Sequence, residues 1–441
     1  MNREVGAVER IRNIAFGTAL AAGVLASGCA TETAEPATVN QGTTTTEVII
    51  AELEDPTTTI NELPPSDLPK MTDPEAGLCI EPQPEDFDQV REWLAEPKNP
   101  ALIPTYSGKS DDGAFEEFEE TSQAFLEELA SDLDQTIYDA TPIIEDLNNL
   151  AMANSSEGNY YNLPFQDYLS ATQDFMANYG VQVMVGTPDM EYAYGGGAPD
   201  AELLESDNAK QTLMNVLYAF SEQPDEYITD VAKLDDIVLM SGAEDEVGAY
   251  AQPGEFRNQI YIDIQPDGEG SALESDSIHH ELAHLVDFDA CNGGGYYSDP
   301  AYEQFNGGLD IYDPDVIYDT VTVEYGDYID LAGDLMSAKI AAEETGDMEQ
   351  WCDVNDREQA IGAEVLTYSE YHPEVGEDKA EVGAGLAQQY MYNVLTDSRL
   401  PVLKNKFELL LARLHVRNPK VAEYFIKTAS RPYIDPLEAD C

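Results

Sequence analysis

Three of the five histidines in this chain fall within six consecutive residues, in the run Ile278-His279-His280-Glu281-Leu282-Ala283-His284-Leu285-Val286-Asp287-Phe288. On a helix, residues four apart stand above one another, so His280 and His284 share a face and their imidazoles can converge on one ion. Ile278, Leu282 and Leu285 gather on another face, which suits a core, and Ser275, Asp276 or Ser277 can cap the start. The run is therefore held to be a helix with one side packed and another lining a site. This is the HExxH arrangement, in which two neutral imidazoles bind one Zn²⁺ and the intervening Glu281 reaches the water that the metal activates. Zn²⁺ lowers the pKa of that water toward ~7, and Glu281 is expected to take its proton and pass it to a leaving amine. His279 points about 100° away from His280, and a supporting or solvent-facing role is expected of it. A surface helix with incidental histidines is the competing reading, and the convergent spacing argues against it.

The rest of the chain reads as α+β. Phe87, Val90 and Leu94 have helical spacing, as do Phe115, Phe118, Phe125 and Leu126, and Ile143 to Ala153 reads the same way. Together they predict a helical N-terminal region over 76–160 with no nameable chemistry. Beyond it, Val181–Val185 and Ile237–Met240 read as strands and Gln211–Phe220 as an apolar helix. Gly248–Ala251 and Asn258–Ile264 read as a strand pair, the second alternating Ile260, Ile262 and Ile264. A loop at Gly293-Gly294-Gly295 lacks the Lys-Ser/Thr of a phosphate cradle and reads as a turn. Residues 161–441 are expected to form one domain with an insertion at about 291–360, helical over Tyr328–Glu344.

Composition narrows the classes. The 441 residues carry 21 Lys+Arg against 87 Asp+Glu, a formal charge of −66. That excludes nucleic acid, which needs clustered cations, and adsorption to anionic lipid. A hydrophobic fraction of 43% supplies a sizeable core. The N-terminus has Arg3, Arg10 and Arg12 followed by an apolar stretch from Ile14 to Ala26, too short to span a bilayer at ~20 residues but suited to a signal segment. It ends Leu25-Ala26-Ser27-Gly28-Cys29, which resembles the lipobox of bacterial lipoproteins. That resemblance implies cleavage of residues 1–28, a lipid on Cys29 and a place on the extracytoplasmic side of a bacterial membrane, held there by lipid alone. Residues 29–75, rich in Thr, Glu and Pro and free of aromatics, are expected to be a disordered tether.

Two imidazoles leave a zinc site short of one ligand. A metzincin would need Gly and then His or Asp three and six places after His284; those positions are Asp287 and Ala290. No aspzincin Gly-Thr-x-x-Asp is found. A gluzincin needs a Glu on a later helix, and the best segment is Glu377-Asp378-Lys379-Ala380-Glu381. With His284-Leu285-Val286-Asp287, this run resembles the catalytic domain of the anthrax-toxin lethal factor family over about 210–395. The signature of that family is HExxH followed by Val-Asp, then a Tyr, then Glu-Asp-Phe-Ala-Glu opening a helix; Lys379 stands where the family has Phe. The resemblance implies a zincin-like metallopeptidase domain, a sheet with the active-site helix and then a helical C-terminal part. It also implies one Zn²⁺ on His280, His284 and Glu377, and Tyr371 assisting at the scissile carbonyl, with Tyr368 as its competitor. The partner would be a peptide or protein substrate. Glu303, Glu364, Glu374 and Glu381 remain competing ligands. The competing function is a zincin-fold lipoprotein that binds or adheres without catalysis.

With Cys29 lipidated, four cysteines remain. Cys291–Cys352, closing the insertion, and Cys79–Cys441, tying the ends of the body, are the expected pairings. Residues 399–431 form the one basic patch. It reads as a packed helix presenting Phe407, Leu410, Leu411 and Leu414 to the body, with membrane contact as the alternative.

Overall fold

The computed structural model describes residues 79–96, 124–155, 161–186, 196–243, 248–252, 258–267, 272–291, 298–309, 311–312, 323–368, 375–388, 392 and 394–429. The chain divides into two units at Asp73/Pro74, and every described residue belongs to the second. The signal segment, Cys29, the tether, the Gly293 loop, Tyr371 and Cys441 lie outside the described residues.

The second unit is mixed α+β, mostly helical with a small sheet. Four strands, β1 (Gln182–Val185), β2 (Leu234–Met240), β3 (Ala249–Gln252) and β4 (Asn258–Asp263), lie in the order β1-β2-β4-β3. β1, β2 and β4 run parallel, and β3 pairs antiparallel with β4 at the edge. The alternation of side chains across a strand divides β2 and β4 between two layers. Ile237, Leu239, Ile260 and Ile262 join the main core. Val238, Met240 and Tyr261 form a second cluster on the opposite face, where Tyr250 of β3 stacks on Tyr261 at 4.8 Å between centroids.

Helices α1 (Pro84–Ala95), α2 (Thr141–Asn154), α3 (Phe165–Met176) and α4 (Asp207–Phe220) precede the motif helix α5 (Ser275–Ala290). Val90 of α1, Ile144 of α2, Phe175 of α3 and Leu217 of α4 all enter the main core, so the N-terminal helices share one core with the sheet. The start of α4 shows how sequence sets a boundary: the Ser206 side chain accepts from the Ala209 N–H, satisfying one donor of the first turn.

Beyond α5 come the short α6 (Pro300–Glu303) and the two-stranded ladder of β5 (Val323–Glu324) and β6 (Val365–Thr367). Between these strands lies a helical hairpin, α7 (Tyr325–Thr345) and α8 (Met348–Gly362). Gly346, at φ 72°, ends α7, and the Asp347 side chain caps α8. The hairpin is tied by Lys339, which donates to Asn355 and Glu358, and Glu358 also takes Arg399.

Three helices close the fold: α9 (Val375–Ala384), α10 (Pro401–Arg417) and α11 (Pro419–Thr428). Phe407, Leu411 and Leu414 of α10 are fully packed. Its cations serve the body's own acceptors: Arg413 binds Asp299, and Arg417 reaches Asp289 and the carbonyls of Val231 and Val286. The packed-helix reading of the basic patch is the one the fold adopts. Among the described residues, no helix is long and apolar enough to cross a membrane.

The expected disulfides are corrected. Cys291, the residue that ends α5, pairs with Cys79 rather than Cys352. The incoming chain lies along the end of α5, with the Ile80 N–H donating to the Ala290 carbonyl at 2.9 Å, so Cys79 is brought to Cys291. The pairing Cys79–Cys441 falls with it. Cys352, on α8, is also disulfide-bonded, and its partner lies outside the described residues.

Glu222 sits in the turn after α4 at φ 63°, a left-handed conformation unusual for a residue with a Cβ. Burial, reinforced by Asp139 and Glu127, pushes its carboxyl up to about 7. A carboxyl with a raised folded-state pKa holds its proton longer in the folded chain. It therefore costs stability as pH rises from its ordinary value of 4.5 through 7. Glu222→Gln should stabilise the fold by about 1 kcal/mol near pH 8, after allowance for solvent screening, and by almost nothing near pH 4.5. Urea unfolding at the two pH values checks this, and an equal effect at both would contradict it.

Candidate metal centre

α5 carries the site because its faces are segregated. Ile278, Leu282 and Leu285 are 0–2% exposed and anchor it in the main core. Its first turn differs from expectation: the cap position is Glu274, with no side-chain cap, so Ser275, Asp276 and Ser277 lie inside the helix. His280 and His284 stand one turn apart with ring centroids 4.7 Å apart and planes at 81°. The potential ligand atoms of His280, Glu281 and His284 lie within 4.8 Å of one another.

α9 packs directly against α5 and brings a carboxylate to the two histidines. Glu377 Oε2 is 3.2 Å from His280 Nε2, and Glu377 Oε1 is 3.4 Å from His284 Nε2. Both Nε2 atoms thus face one carboxylate across the helix pair. Glu381, one turn further along α9, sits 3.2 Å from His280 Nδ1. A carboxylate at Nδ1 fixes the tautomer that leaves Nε2 free to ligate, the outer partner found at most histidine metal sites. Burial works against a charged His280, but the hydrogen bonds to Glu377 and Glu381 outweigh it and raise its pKa to about 10.

Glu281 is buried beside the two histidines, close enough to Glu377 for the two carboxylates to repel. Its carboxyl accepts a hydrogen bond from the backbone N–H of Ala251 in β3, and its Oε2 has no hydrogen-bond partner. Burial raises its pKa, with the histidines opposing. A buried carboxylate oxygen without a donor is costly unless something is meant to meet it. Two imidazoles and a carboxylate on one side, with an unsatisfied acid beside them, fit a divalent ion of the zinc type.

The other expected residues separate clearly. His279 is 6% exposed, and its Nδ1 has no partner; burial lowers its pKa to about 4, so it is a neutral core residue rather than a solvent-facing one. Glu303 is used locally, accepting from the Asp299 N–H and the Ser298 hydroxyl. Glu364 is exposed in the turn before β6. Tyr371, His372 and Glu374 lie outside the described residues. Tyr368 stacks on Tyr325 at 4.8 Å, and burial, with Glu381 and Asp276 nearby, raises its phenol. α9 ends at Ala384, which lies between Gly383 and Gly385.

The role of Glu381 at His280 Nδ1 was legible only as an i, i+4 spacing from Glu377, which places both on one helical face. Nothing in the sequence pairs Lys379 with Asp287, 92 positions apart, yet their side chains meet at 2.6 Å. Compared with known proteins, the chain matches no family model, no curated protein and no solved structure. The functional reading therefore rests on the geometry of these residues and on the motif they form.

Proposed function

We propose that this chain is a surface-anchored, zinc-dependent endopeptidase of the gluzincin type. The observation that carries the reading is the carboxylate of Glu377 spanning the Nε2 atoms of His280 and His284, with Glu281 on the adjoining face of α5. His280, His284 and Glu377 would hold the Zn²⁺, which would supply a Lewis acid able to polarise a carbonyl and to lower the pKa of a water to about 7. Glu281 is the group that takes a proton and returns it to the departing amine. Its burial brings its affinity for a proton closer to that task than an exposed carboxylate's would be. Glu381 keeps the His280 ring oriented. The edge strand β3 lies against α5 and contacts Glu281 through Ala251, so an extended peptide added along β3 would run past the general base. The lethal-factor resemblance assigns carbonyl assistance to Tyr371, with Tyr368 as the alternative. A lipid on Cys29 would hold the enzyme at the outer face of the membrane.

The test is a mixed peptide library incubated with the purified protein and read by mass spectrometry. Cleavage at defined bonds that stops on chelation and returns on adding zinc is expected. Zinc bound stoichiometrically without cleavage would instead favour a binding or adhesion module.

A further inference from the structure

Three consecutive residues of α9 face three different walls, as the ~100° step of a helix requires. Glu377 faces the histidines of α5. Asp378 turns to α10 and β6: its Oδ2 accepts from Lys406 Nζ at 2.6 Å and from the Tyr312 hydroxyl at 2.7 Å, and Lys406 also donates to the Leu366 carbonyl at 2.6 Å. Lys379 turns to the far half of α5, donating to Asp287 Oδ2 at 2.6 Å. It also lies 3.5 Å from Asp299 Oδ2, an aspartate already held by both terminal nitrogens of Arg413. The side chains of Lys379 and Lys406 are 1% and 0% exposed. A chain with 21 basic residues against 87 acidic ones thus uses two buried lysines to pair α9 with α5 and α10.

Ion pairs so placed are poor sources of net stability, because desolvation consumes much of the attraction. What they do enforce is geometry. An apolar contact tolerates a slide or a roll, whereas a displaced buried ion pair leaves an uncompensated charge. The helices are also in close approach: a Cβ on Gly383 would lie 2.9 Å from that of Ala283. α9 is therefore held in height by its backbone contact and in rotation by its lysine pairs.

We propose that Lys379 and Lys406 are positioning residues for Glu377, fixing the roll of α9 so that the carboxylate stands between the two imidazoles before a metal arrives. The inference rests on the metal site of the proposed peptidase and not on its turnover.

The test measures zinc affinity of the full-length protein by chelator competition, with zinc itself as the probe. Lys379→Met, Lys406→Met and the milder Asp287→Asn, which keeps an oxygen acceptor, should each weaken zinc binding about 10-fold, the scale seen for groups that orient ligands. Lys339→Met is the control: it breaks the buried pair with Glu358 in the α7–α8 hairpin and should lower the melting temperature while leaving zinc affinity unchanged. The double variant Lys379→Met/Asp287→Leu, which removes both charges, should recover melting temperature but not zinc affinity. Affinity within about two-fold of wild type in Asp287→Asn and the double variant would overturn the proposal. So would an equal loss of affinity in Lys339→Met. A wild-type protein that binds zinc on His280 and His284 but cleaves nothing would defeat the peptidase reading and leave this one standing.

Discussion

Glu281→Gln should lower peptide turnover by about a thousand-fold to ten-thousand-fold while zinc content stays that of the wild type, the upper part of the range for losing a general acid-base group. The two effects separate because the residue stands beside the ligand set. Its backbone is fixed between His280 and His284 on α5, and its carboxyl accepts a hydrogen bond from Ala251 of β3. Glutamine preserves the volume and an oxygen acceptor but has no basic oxygen to take a proton. The fold should not suffer, since the wild-type chain already bears the burial of an acid with an unpartnered Oε2. Turnover constants on a library-derived peptide, paired with metal analysis of the same sample, give the answer. Turnover within about ten-fold of wild type would mean that the base lies elsewhere.

Glu377→Ala should weaken zinc binding by more than about 100-fold, beyond the range that outer partners of ligands account for, and abolish cleavage with it. A catalytic zinc uses three protein ligands and keeps one position open. Removing Glu377 leaves two imidazoles, and the other carboxylate that α9 brings to them, Glu381, lies at Nδ1 of His280 rather than on the shared Nε2 side. Glu303→Ala should leave zinc affinity and turnover near wild type, because that carboxylate serves the Asp299 and Ser298 donors at the start of α6. Titration of the apo-proteins with zinc distinguishes the two variants. Retained affinity in Glu377→Ala would remove the main support for the gluzincin reading.

Local periodicity carried much of the fold. The strands around Ile237 and Ile260, the helix ending at Phe220, and the Ile278-Leu282-Leu285 stripe each follow from the spacing of apolar residues, because burial of one face is what those elements require. The histidine pair was legible for the same reason: His280 and His284 are four apart on one helix, so local geometry alone brings them together. Glu377, 93 positions beyond His284, was reachable only through a resemblance in sequence, since no local rule specifies which distant helix packs on α5. The cysteines show the limit of such inference. The Cys79–Cys291 link depends on where the chain enters the fold, along the end of α5, and spacing holds no trace of that path. The end of α9 at Ala384 shows a different limit. Gly385 follows the last helical residue, and Gly383, inside the last turn, is required by the approach of Ala283.

Anomalous diffraction at the zinc edge, from crystals grown with zinc, tests the account most directly. The expected result is one ion bound by Nε2 of His280, Nε2 of His284 and the carboxylate of Glu377, at ~2.0–2.2 Å, with Glu281 outside the ligand set. An ion held by Glu381 or Glu303 in place of Glu377, or no ion on the two histidines, would contradict it.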